Sequence, residues 1–123
     1  MTYNIGIFLF NDAELMDFAG PYEVFSSTYE ICDHRPYHVF SIAETKDPIT
    51  TVNGMAVVPE YAFSDHPPVD ILVLPGGIGS RKEMEKVRMA TAKATARTDN
   101  KDRRLLRPIF LQAIWTKFVM KLE

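Results

Sequence analysis

Cysteine is the scarcest reactive residue in this chain: among 123 residues there is one, Cys32. A lone cysteine excludes an intrachain disulfide framework and fits a reducing compartment. Long apolar runs are missing too, and none nears the roughly 20 residues that a membrane-spanning helix needs. The start, MTYNIGIFLF, has neither the basic stretch nor the small-residue cleavage site of a signal peptide. A cytoplasmic protein with no membrane partner is therefore expected. Metal-binding residues are sparse: Cys32, His34 and His38 form the one cluster, CDHRPYH, and Pro36 keeps the two histidines off a shared helical face. With no second ligand pair nearby, neither a metal site nor a cofactor is expected. Basic residues are nearly absent from the first 80 positions, where Arg35 and Lys46 stand against eleven acidic residues, a balance of −9.

The remaining residues reverse that sign. From Arg81 to Glu123 twelve basic and five acidic residues give +7, and the whole chain carries −2. Such asymmetry can mark a basic tail that meets nucleic acid. Residues 81–107 lack the interleaved aromatics of such a surface, and the net excess is acidic, so a nucleic-acid partner is disfavoured.

Ile5 to Phe10 is a continuous apolar run with no polar face, the pattern of a strand covered on both sides. Asn11 with Glu14 predicts the start of a short helix. Gly20, Pro21 and Glu23 predict the start of a second one running towards Ile31. Tyr37–Ala43 reads as the next strand. Asn53-Gly54 signals a tight hairpin, and Asp70–Leu74 reads as another fully buried strand. Ser80 is placed to cap a helix after it. This order predicts an α/β fold, an open and mostly parallel sheet with helices on both faces. Beyond about Met84 the text turns Ala-, Thr- and base-rich. Leu106, Ile109, Phe110, Ala113 and Ile114 then recur at helical spacing, predicting a helix over Pro108–Leu122. Nothing from Arg81 onward makes the further buried strand such a sheet would want. The expected division is residues 1–84 as an incomplete α/β domain and 85–123 as a basic helical tail.

Gly76 and Gly77 follow the last buried strand, at the sheet edge where open α/β folds bind ligands. Glycine permits close backbone approach, so paired amides can point at one oxygen as an oxyanion cradle. A tight turn that merely needs small residues would look the same, and the spacing alone favours that account. PGGIGSRKEM lacks the G-K-[ST] ending of a phosphate loop. Asp17 follows the first strand and can reach the same edge, where a carboxylate can move protons. A solvent-facing aspartate is the blander alternative. Glu14 and Glu23 compete for the role but read as first-turn charges. Cys32 sits away from any strand-end turn, without a positioned base, so no nucleophile is identified.

Together, IGIFLFNDAELMDFAGPYEVFS, VNGMAVVPEYAF and VDILVLPGGIG resemble the ThiJ/PfpI superfamily, with its class I glutamine amidotransferase-like, flavodoxin-like fold. Within it they look most like isonitrile hydratases and the amidase-like ligand domains of AraC-type regulators. The resemblance covers Tyr3 to about Met84, roughly two-thirds of the chain. It implies that Asp17, in the D-x-x-G-P motif, acts as acid/base beside a cysteine nucleophile. It also implies that Gly77, with Gly76 beside it, offers a backbone donor to the substrate. The family carries the cysteine on a sharp turn after the following strand, in a Cys-x-Gly context, and no cysteine follows Cys32 here. The expectation is a truncated member, its tail outside the family pattern, lacking the nucleophile and inactive as it stands. The alternative is a divergent, non-catalytic domain that senses a small molecule. Either way the expected partners are a small-molecule substrate or ligand and, as is common in this fold, a second copy in a homodimer.

Overall fold

A computed structural model describes residues 1–80 together with 82, 83 and 86. The chain forms β1 (Tyr3–Phe8), α1 (Leu15–Ser26), a 3-10 turn (Ser27–Glu30) and β2 (Tyr37–Ala43). Four short strands follow: β3 (Ile49–Thr50), β4 (Ala56–Val57), β5 (Tyr61–Ala62) and β6 (Ile71–Val73). Four of the six strands make one sheet in the order β5-β2-β1-β6, and every neighbouring pair in it is parallel. The remaining two, β3 and β4, form a separate antiparallel hairpin across the Asn53-Gly54 turn. The predicted α/β class and parallel sheet are thus present. The predicted tail, 85–123, and its helix at Pro108–Leu122 lie outside the described residues.

β1 is central because its sequence has no polar face to expose. Ile5, Ile7 and Phe8 are buried, as are Leu9 and Phe10 just beyond the strand. Phe8 lies between Phe10 and Phe63, with ring centroids 5.4 and 5.3 Å away. Burying each such side chain contributes about 1.5–3 kcal/mol, so this strand dominates the core.

α1 departs from the two-helix expectation. It is one helix of 12 residues with Pro21 inside it rather than at a second start. Proline cannot donate to the carbonyl four residues back, here that of Asp17, at a cost of about 3 kcal/mol. Phe18 is buried, and Leu15, Ala19, Tyr22 and Phe25 pack against the same core. Together their burial outweighs the lost bond. The expected capping box does not form either. Asn11 Oδ1 accepts from Thr50 N instead (2.9 Å), and Glu14 ends the loop as an extended N-cap residue without a side-chain cap bond.

β6 is shorter and less covered than predicted. Of Ile71, Leu72 and Val73 only Val73 is buried, because among the described residues β6 pairs with β1 alone. Strand β5 falls between Pro59 and Pro67, in a stretch where no strand was predicted. Ser80 proves to be the first helical residue rather than its cap, with Glu83 N donating to Gly79 O (3.3 Å).

Candidate functional site

The loop between β1 and α1 leads into the helix turn that carries the candidate acid, and it is held on both sides. On one side Asp12 N donates to Thr50 O (2.8 Å) and Val52 N donates to Ala13 O (3.1 Å), tying it to the hairpin. On the other, Glu14 N donates to Gly76 O (3.0 Å), and Ala13 forms a bridge to Gly77. Three segments distant in sequence are thereby stitched at the carboxyl ends of the parallel strands, the edge that binds ligands in open α/β sheets.

Asp17 sits in the first turn of α1, where the helix dipole favours a negative charge. Its Oδ2 accepts from Gly76 N at 2.9 Å across 59 positions of sequence. Asp17 and the glycine pair therefore share one site. The two glycines are bonded differently, in a way that spacing could not reveal. Gly76 spends its N–H on Asp17 and its carbonyl on Glu14, so it orients the acid. Gly77 makes no backbone hydrogen bond through its own N–H among the described residues.

Gly77 is also a position that no other residue fills easily. Its φ is 132°, outside what L side chains adopt, and an added Cβ would run into the carbonyl oxygen of Asp12 and the Cα of Ala13. Gly79 is similarly pressed against the Asn11 carbonyl. Glycines here permit the close approach of two backbones, which places Asp17 over the strand ends.

The competing acids are elsewhere. Glu14 serves through its backbone as the N-cap, and Glu23 lies exposed further along α1. Cys32 follows the 3-10 turn, exposed, with its N–H on Thr28 O (3.1 Å). The part of α1 after Asp17, which runs to Ser26, at about 1.5 Å per residue, separates it from Asp17 by more than about ten ångströms. His34 is exposed, and His38 on β2 lies with Nδ1 3.2 Å from Asn4 Oδ1. Among the described residues no three His, Cys, Asp or Glu side chains converge as metal ligands. No described helix is long and apolar enough to cross a membrane.

One polar cluster escaped the sequence reading. Glu60 Oε2 accepts from Ser41 N (2.7 Å) and lies 3.3 Å from Ser41 Oγ and 3.5 Å from the Tyr22 hydroxyl. Ser41 Oγ in turn accepts from Glu60 N (2.9 Å). Partial burial, reinforced by the Glu60 charge and hydrogen bond, raises the Tyr22 pKa above 10.0. The P-E-Y stretch offers no clue to this, because only the pairing of β5 with β2 brings Glu60 to Ser41.

The fold sets the Asp17 carboxylate against the Gly76 amide at the strand ends of an α/β domain. Residues 4–104 match the model of the DJ-1/PfpI family, and the chain belongs to that family. The match continues beyond Met84 into residues outside those described. Isonitrile hydratase of Pseudomonas putida is 32% identical over 87 residues, covering 69% of this chain and 35% of that protein. The chain thus spans about a third of the length of the curated relative it matches. A ThiJ/PfpI family protein from Pseudomonas syringae superposes with a TM-score of 0.66 at 24% identity, over 80% of this chain and 40% of the other. Drosophila melanogaster DJ-1beta superposes with a TM-score of 0.61 at 19% identity, over 78% and 50%. At these identities the structural likeness shows the fold alone.

Proposed function

We propose that this chain carries the acid-and-amide part of an isonitrile hydratase-type site and that its 123 residues lack the thiol such a reaction uses. The observation that carries this reading is the 2.9 Å bond from Gly76 N to Asp17 Oδ2, which holds the carboxylate at the glycine pair. Hydration converts R–N≡C and water into R–NH–CHO. In the parent chemistry a thiolate bonds to the terminal carbon, and that carbon takes up a proton to give a thioimidate. Water then adds to the same carbon, the thiolate leaves, and the nitrogen keeps the second proton. Asp17 relays the protons, and the Gly77 N–H steadies the adduct. Cys32 supplies no such thiolate, being exposed at the far end of α1.

The purified chain, given an alkyl isonitrile, is expected to form no formamide above the uncatalysed rate. Formamide production that Cys32→Ala abolishes would overturn the reading. Binding is expected to survive: an alkyl formamide should raise the melting temperature of the wild type and not that of Asp17→Asn. The placement of Cys32 also favours the second reading, a domain that binds a small molecule without chemistry, as in AraC-type regulators. A formamide effect with no turnover is common to both readings. Tighter binding of an unrelated ligand class at Asp17 would select the sensor.

A further inference from the structure

A second concavity, of about 530 Å³, opens between α1 and strand β4. Its lining includes neither Asp17 nor the glycine pair. The walls are largely apolar, with Leu15, Phe18 and Ala19 from the helix facing Val57 and Val58 from the hairpin. Its polar end is formed by Glu60, Tyr22 and Ser41, with Glu23 at the margin. Among the described residues no basic side chain lines it.

The chemistry of that end is one-sided. Glu60 Oε2 is engaged by Ser41 and Tyr22, whereas Oε1 makes no hydrogen bond among the described residues. A carboxylate with one oxygen fixed and the other open is a ready acceptor for a charged donor. The Tyr22 ring beside it offers a face to a cation. An anionic ligand would instead meet two carboxylates with nothing to neutralise it. The charge of residues 1–80 agrees, with eleven acidic and two basic side chains.

We propose that this cleft binds a small amphiphilic amine, with its alkyl or aryl body between Phe18 and Val57 and its ammonium group on Glu60. The apolar walls supply burial for the body, and the fixed carboxylate supplies selection for the head. Ser41 orients Glu60 through its backbone and hydroxyl, so the charge is in place before the ligand arrives.

The test uses the full chain and n-hexylammonium, with hexanoate and 1-hexanol as equally long controls, followed by the methyl resonances of Ala19, Val57 and Val58. Hexylammonium is expected to shift these signals saturably, hexanol more weakly and hexanoate not at all. Glu60→Gln keeps an oxygen for Ser41 N and removes the charge; it should weaken hexylammonium binding about tenfold while hexanol binding stays unchanged. Tyr22→Phe should weaken it less. Equal binding of hexanoate, an unchanged Glu60→Gln affinity, or no saturable shift would overturn the proposal. So would methyl shifts that follow protein concentration rather than amine, since a second copy would then occupy the cleft.

Discussion

The two ends of α1 make the instructive contrast. At its amino end the backbone is stitched to the hairpin on one side and to the glycine loop on the other, and Asp17 is held by a fixed amide. At its carboxyl end the chain passes through a 3-10 turn into an exposed stretch, where Ile31, Cys32, Asp33 and His34 face solvent. Both ends carry residue types that do chemistry. Only the first has the surroundings that orient such residues, because it lies at the strand ends where several loops converge. Reactive side chains are common, and orientation is what the fold supplies.

The largest way to break this contrast is Gly77→Ala. The side chain would demand a forbidden φ and displace the Asp12 backbone, so a loss of about 3 kcal/mol is expected in urea denaturation. Asp17→Ala comes next. It strips the Gly76 amide of a charged acceptor, at an expected cost of about 1.5 kcal/mol for this half-buried site. Cys32→Ser, at the other end, should fall within about 0.5 kcal/mol of wild type. A Cys32 effect as large as that of Asp17 would erase the distinction between the ends.

Two titrations sharpen it further. Glu60→Gln should bring the Tyr22 phenol only part of the way back towards 10.0 in an ultraviolet pH titration, since burial, the larger cause, remains. The smallest effect belongs to Asp65. Its hydrogen bond to Lys46, and then the one from Ala62 N, lower its pKa below 3.8. A depressed carboxylate adds stability above its unfolded pKa and loses it as the pH falls through the folded value. The melting temperature of Lys46→Ala should therefore fall slightly short of that of the wild type at neutral pH and converge on it as the pH drops through the lowered Asp65 value.

The strands were legible wherever their apolar runs were long. β2 was read to the residue, and β1 was found but shifted by two. β5 was invisible, because two residues between prolines carry no period, and its existence depends on β2 offering Ile42 and Ala43 as partners. The helix was misread at Pro21, where a local rule predicts a start. The apolar face from Leu15 to Phe25 is buried as one piece, and that long-range gain overrode the rule.

The site was half legible in the same sense. Asp17, Gly76 and Gly77 stood out through a motif resemblance, yet the hydrogen bond that joins Gly76 to Asp17 did not. What the sequence determined alone is the inventory: apolar runs that must be covered, an acid after the first strand, small residues after the last, and a single thiol. Tertiary structure decided the pairing. Parallel order β2-β1-β6 brings Gly76 to Asp17, while Cys32 lies exposed after the 3-10 turn that follows α1. The physical reason is that hydrogen-bonded contacts across 59 residues are set by which strands lie side by side, and no local window of sequence contains that information.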